Sequence, residues 1–73
     1  MGRKRATIIP RSSGSQILVK AGAKRVSGQA AVALVKVLEQ KGVELGEKAA
    51  RFAMHAGRKT VQKDDVERAA GSD

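Results

Sequence analysis

The sequence predicts an all-α fold in which a short helix, a long central helix and a second short helix follow one another. Residues 28–56 contain no proline and are rich in Ala, Leu, Glu, Lys and Gln, a composition that favours one continuous helix. Gly22 and Gly57 each follow a helical pattern and are typical of helix ends. Apolar residues recur along the long segment at helical spacing, at positions 30, 34, 37, 38, 45, 49, 52, 53 and 56.

The first helix follows a basic segment. Residues 1–11 are interpreted as a flexible basic N-terminal arm, and residues 12–73 as one helical domain. Ser13 and Gln16 have the spacing of a capping box, which predicts the start of the first helix, and Gly22 predicts its end.

The long helix and the third helix also have predicted starts. Ser27 is expected to cap the long helix, which then runs from residue 28 to residue 56. The third helix is predicted over residues 63–70, where Asp64 and Asp65 in the first turn suit the positive end of the helix dipole.

The length of the central helix predicts a dimer. At a rise of about 1.5 Å per residue it would be roughly 43 Å long, whereas a compact chain of this size is about 29 Å across. Its first half, "AAVALVKVL", is apolar around most of its circumference, so a partner must cover part of it. Gly42 and Gly46 are either tolerated defects or points where two crossing helices approach closely, and we favour close approach. The expected dimer core is Leu34, Leu38, Gly42, Leu45 and Ala49.

The charge is positive and unevenly distributed. The chain has 73 residues with 15 Lys and Arg against 7 Asp and Glu, a net charge of +8. No acidic residue precedes Glu39, so the excess lies in the N-terminal half, which predicts a surface that binds a polyanion. Phe52 is the only aromatic residue, which argues against modules that stack single-stranded bases.

Catalytic and metal-binding residues are scarce. There is no cysteine, no Gly-rich phosphate loop and one histidine, His55, which is interpreted as a packing or interface residue. The carboxylates of Asp64 and Asp65 are adjacent and point in different directions on a helix. No apolar run has membrane-spanning length. We therefore expect a soluble intracellular protein that is not an enzyme and has no cofactor, metal, membrane or small-molecule partner.

Two basic loops flank the long helix. Lys24 and Arg25 precede it, and Arg58, Lys59 and Thr60 follow it. In an antiparallel dimer, the first loop of one chain lies beside the second loop of the other. Two such clusters predict contact with the backbone of double-stranded DNA with little sequence preference, although any one of these cations could be a solvated surface charge.

The loop motifs "AGAKRVS" at 21–27 and "HAGRKTV" at 55–61, at this separation, resemble those of the archaeal histones. The resemblance extends from about Ser13 to Ala70. It implies the histone fold and a head-to-tail handshake homodimer, with higher oligomers on DNA. It also implies an architectural protein that wraps or compacts DNA on the chromosome of a prokaryote.

The resemblance further implies roles for single residues. Arg25 would enter the minor groove, oriented by Thr60 of the partner subunit, while Lys59 contacts phosphate and Arg58 is clamped to Asp65. The expected dimer–dimer interface is Phe52, His55, Asp65 and Arg68. The expected DNA-binding residues are Arg25, Lys24, Lys59, Thr60, Arg58, Arg11, Ser13, Arg3, Lys4 and Arg5.

Some residues depart from the family pattern. Gln16 stands where these histones usually have an arginine that contacts DNA, and the basic arm is expected to replace part of that contact. Lys41 replaces an apolar residue in the long helix, where its stem can extend towards water. Arg68 replaces an apolar residue of the dimer–dimer contact, which predicts weaker stacking of dimers.

Two other functions compete with DNA compaction. The apolar long helix equally fits a histone-fold interaction subunit, such as one half of a transcription-factor heterodimer. A basic membrane-active or RNA-binding peptide is the other alternative, and the near absence of aromatic residues argues against it.

Overall fold

The computed structural model describes residues 8–71 and contains three helices in that range, with no strand. They are α1 (Arg11–Lys20), α2 (Gly28–His55) and α3 (Lys63–Gly71). The predicted all-α order of short, long and short helices is therefore confirmed. The chain divides into two compact units, over residues 1–40 and 41–73, and α2 contributes to both.

The start of α1 differs from the prediction. The N-cap is Pro10, in an extended conformation with φ −63° and ψ 146°, and no side chain caps the helix. The Ser13 backbone N–H donates to the Pro10 carbonyl at 3.0 Å, so Ser13 lies inside the first turn. The predicted capping box is wrong because the fixed φ of proline suits the entry to a helix and its carbonyl accepts the first turn's bond. Arg11, expected in the arm, is the first helical residue.

The end of α1 is a glycine turn, as predicted. Gly22 has φ +122°, a left-handed conformation that favours glycine. The Ala23 N–H donates to the Leu18 carbonyl and the Gly22 N–H to the Val19 carbonyl, both at 3.0 Å. These two bonds form a Schellman motif, which satisfies carbonyls left unpaired at the helix end.

The start of α2 also agrees with the sequence. The Ser27 hydroxyl accepts a hydrogen bond from the Ala30 N–H at 3.0 Å, which confirms the predicted N-cap. The helix ends at His55, one residue before the predicted end.

The first unit is built on a close approach of α1 to α2. Gly14 is buried, and a Cβ on it would lie 2.7 Å from the Ala31 carbonyl oxygen and 2.8 Å from Val35 Cγ2. Ala31 and Val35 are themselves fully buried. The absence of a side chain at Gly14 therefore lets the backbone of α1 rest directly on α2.

A second contact holds the segment that precedes α1. The Ile9 backbone N–H donates to the Glu39 Oε2 at 2.6 Å. Glu39 is the first acidic residue of the chain, and its hydrogen bond ties residue 9 to α2 within the first unit.

The second unit has a core of small residues. Ala49 and Ala53 on α2 and Ala69 on α3 are buried. Ala49 was expected in the dimer core, but its side chain is already buried within a single chain, so that expectation is corrected. The small side chains allow α3 to pack closely against the last turns of α2.

The remaining residues of the expected dimer core are not fully covered in the single chain. Leu34, Leu38 and Leu45 are half-buried, and Gly42 is exposed with no atom within 4 Å of the position of a Cβ.

Candidate nucleic-acid interface

The first loop, residues 21–27, presents two cations. Lys24 and Arg25 are exposed, and neither forms an ion pair with any described residue. The carboxylate of Glu39 accepts the Ile9 N–H. The positive charge of this loop is therefore not neutralised inside the first unit and is available to an external anion.

The start of α2 adds to this positive surface. Arg11 Nη1 lies 3.7 Å from the position that a Cβ on Gly28 would occupy, so the guanidinium is next to the first turn of α2. That turn contains no acidic residue. Unpaired backbone N–H groups and the helix dipole make a helix N-terminus attractive to phosphate, and Arg11 strengthens that attraction.

The other predicted residues of α1 are less prominent. Ser13 is half-buried in the first turn, and Gln16 is exposed further along the helix. Three predicted contacts in the arm, Arg3, Lys4 and Arg5, lie outside the described residues.

The second loop begins with another glycine turn. Gly57 has φ +76°, and the Arg58 N–H donates to the Ala53 carbonyl at 2.9 Å. A further bond runs from the Gly57 N–H to the Met54 carbonyl at 2.9 Å. This Schellman motif turns the chain sharply away from α2 and starts the loop at Arg58.

Arg58 and Asp65 hold the second loop in shape. Arg58 Nη1 donates to Asp65 Oδ2 at 2.8 Å, and Nη2 donates to Oδ1 at 3.0 Å. Nη1 also donates to the Thr60 carbonyl at 3.1 Å, and the Gln62 N–H donates to Asp65 Oδ2 at 2.9 Å. The side chain of Asp65 thus joins both ends of the loop to the first turn of α3.

The electrostatics of this pair match its geometry. The hydrogen bonds from Arg58, and then the Gln62 N–H, lower the pKa of Asp65 from 3.8 to about 2. The hydrogen bond to Asp65 in turn raises the pKa of Arg58. Since both terminal nitrogens of Arg58 donate within the loop, its geometry fits the clamp better than a direct contact with DNA.

The tip of the loop is left open. Lys59 and Thr60 are exposed, and Lys59 forms no ion pair within residues 8–71. The clamp therefore orders a loop whose exposed residues include one cation and one hydroxyl.

A pocket lies on another part of the second unit. It has a volume of about 390 Å³ and is lined by Arg51, Phe52, His55, Ala56 and Arg68. The guanidinium carbon of Arg68 stacks 4.6 Å from the centre of the Phe52 ring. Three of the four residues expected at a dimer–dimer interface are thus brought together.

The fourth, Asp65, is not a pocket residue. Its carboxylate is directed at Arg58 and Gln62, and it is 4% exposed. Arg51 and Ala56 were not predicted from the sequence, although Arg51 lies four residues before His55 and so on the same helix face.

Lys41 reaches water, as the sequence predicts. Its side chain is exposed, and its ammonium lies 4.0 Å from Glu44 Oε1.

Residues 8–71 contain neither a candidate membrane span nor a candidate metal site. No helix in that range is long and apolar enough to cross a membrane. Within the same range, no three His, Cys, Asp or Glu side chains form a group that could hold a metal ion.

Comparison with known proteins places nearly the whole described region in one family. Residues 8–70 match the model of the family described as histone-like transcription factor (CBF/NF-Y) and archaeal histone. The chain is 50% identical over 58 residues to the archaeal histone HAN1 of Thermococcus zilligii, covering 80% of this chain and 87% of that protein. It is 44% identical over 54 residues to probable archaeal histone 3 of Methanocaldococcus jannaschii, covering 74% of this chain and 81% of that protein.

Proposed function

Because this chain belongs to the family of histone-like transcription factors and archaeal histones, we propose that it is an architectural protein that binds and compacts double-stranded DNA. The observation that carries the proposal is the pair of loops that flank α2. Each loop presents exposed cations that no carboxylate of the described chain neutralises. Histones work without catalysis, so the protein is not an enzyme.

The active form is the handshake dimer that is the norm of this family. Val37 and Val43 on α2 are 49% and 60% exposed in the single chain. Burying such side chains contributes about 25 cal/mol per Å² of apolar surface removed from water. Dimerisation through α2 supplies that burial and also covers the half-buried leucines.

DNA binding follows from the charges of the dimer. Lys24, Lys59 and the start of α2 beside Arg11 contact phosphates and release counterions. Arg25 enters the minor groove where it faces the protein, which favours DNA sequences that bend easily. The Arg58–Asp65 clamp orders the second loop before DNA arrives, which lowers the entropic cost of binding.

The place and partners of the protein follow from this activity. It acts on the chromosome, in the nucleoid, with DNA and a second histone-fold chain as its partners. Both relatives carry histone names, which favours DNA compaction over a role in a transcription-factor heterodimer.

Replacing Arg25 by alanine tests this function. The groove contact is lost while the exposed side chain leaves the fold intact, so affinity for a 60-base-pair duplex should fall roughly tenfold, or about 1.4 kcal/mol. Gel-shift titration measures the affinity, and thermal melting checks the fold. Lys36→Ala, which removes one exposed charge of α2, is the matched control and should change affinity less than about threefold. Equal affinities of the two variants would remove Arg25 from the interface.

The basic arm makes a separate prediction. Substituting Arg3, Lys4 and Arg5 together with glutamine should reduce the slope of log affinity against log salt by up to about three, since each phosphate contact contributes about 0.9. The measurement is duplex affinity at five salt concentrations. A slope equal to that of the wild type would mean that the arm makes no phosphate contact.

A further inference from the structure

The pocket on the second unit has a chemical character unlike that of the DNA-facing loops. Its lining combines the guanidinium groups of Arg51 and Arg68 and the imidazole of His55 with the ring of Phe52 and the methyl of Ala56. A surface that only neutralises phosphate needs no such apolar share. The mixed lining fits a side chain that carries an acid on an apolar stem.

The positive charge of the pocket has no partner within the second unit. No carboxylate lines it, and neither Arg51 nor Arg68 forms an ion pair with a described residue. Two nearby acids of α3 are engaged elsewhere, since Asp65 pairs with Arg58, and Glu67 lies 3.7 Å from Lys63. An acid from outside the chain is therefore required to balance the pocket.

A second copy of this chain cannot supply that acid through a symmetric contact. An isologous interface places the same patch of both copies face to face. Four guanidinium groups and two imidazoles would then meet without one carboxylate from the pocket lining. Repulsion between like charges disfavours that arrangement, so the occupant must differ from this chain.

We propose that this pocket docks an acidic, apolar-flanked helical segment of a different protein chain. Arg51 and His55 are four residues apart on α2, so they line one helix face, and Arg68 approaches from α3. Because Arg68 stacks on Phe52, the N–H groups at the edge of its guanidinium remain able to donate to a carboxylate. Two carboxylates one turn apart on a partner helix match this arrangement. The proposal stands whether or not the loops bind DNA.

The test is the binding of a designed peptide to the full chain without DNA. The probe is a blocked, fluorescent, leucine-rich helical peptide with two glutamates four residues apart, and its matched peptide has glutamine at both positions. Fluorescence anisotropy should show at least about threefold tighter binding of the glutamate peptide, as two exposed ion pairs allow. The double variant Arg51→Gln and Arg68→Gln should lose this preference, and thermal melting confirms that it folds.

A charge-matched control separates the pocket from net charge. Lys20→Gln with Lys36→Gln removes two exposed positive charges elsewhere and should keep the preference for the glutamate peptide. The proposal is overturned if wild type shows no preference, or if the pocket variant retains it.

Two further outcomes would assign the pocket to another occupant. If the pocket variant lowers the oligomeric state of the protein in sedimentation, a second copy occupies the pocket. If it weakens binding to duplex DNA more than the control variant does, the pocket contacts phosphate. Either result overturns the proposal.

Discussion

Gly14→Val is expected to lower the melting temperature by on the order of 10–20 °C, because overpacking of this kind costs about 2–3 kcal/mol in a domain of this size. A Cβ at this position would lie 2.7 Å from the Ala31 carbonyl oxygen. That oxygen belongs to the backbone of α2 and cannot rotate away, so the two helices must separate. The separation would expose Val35, the largest fully buried side chain.

Ser12→Val is the matched control for this prediction. It introduces the same β-branched side chain into α1, at an exposed position two residues earlier. Its effect should be limited to helix propensity, well under about 1 kcal/mol. Thermal unfolding followed by circular dichroism measures both variants. Similar melting temperatures would show that α1 and α2 are not in backbone contact at Gly14.

Asp65→Asn is expected to lower the melting temperature by roughly 5–10 °C near neutral pH. The substitution removes the buried charge that accepts both Arg58 hydrogen bonds and turns an amide N–H₂ towards a guanidinium or the Gln62 N–H. Asp64→Asn makes the same charge change at an exposed position of the same helix turn and should have a much smaller effect. Equal losses in the two variants would remove the clamp as a source of stability.

The pH dependence of this difference has a defined direction. The pKa of Asp65 is about 2 in the folded protein, below its ordinary value of 3.8. The ionised carboxylate therefore stabilises the fold fully above about pH 4, and this contribution is lost as the pH falls towards 2. The gap in melting temperature between wild type and Asp65→Asn should narrow between pH 4 and pH 2. A gap that stays constant or widens over this range would contradict the assigned ionisation.

Loosening the clamp should also affect DNA binding. Arg58 donates to the Thr60 carbonyl as well as to Asp65, so loss of the clamp frees the loop that carries Lys59. The loop must then become ordered during binding, at a cost in affinity.

Much of the fold was predictable because its signals are local. Ser27 caps α2 through a bond to a residue three positions ahead, and Gly22 and Gly57 end helices through bonds that span five residues. The composition of residues 28–56 favours helix without reference to any other part of the chain. The Arg58–Asp65 pair was expected from the loop motif "HAGRKTV" and its resemblance to archaeal histones, since spacing alone identifies no partner for Arg58.

The tertiary structure alone decided which side chains meet across elements. The contact of Gly14 with Ala31, the bond from Ile9 to Glu39 and the stacking of Arg68 on Phe52 join residues 16 to 30 positions apart. Sequence spacing states which residues share a helix face, but the face that becomes buried depends on how helices pack. Ala49 illustrates this, since its spacing fits a dimer core whereas packing buries it within its own chain. Helix starts, ends and charge were therefore determined by the sequence itself, whereas the close helix contact and the basic pocket required the fold.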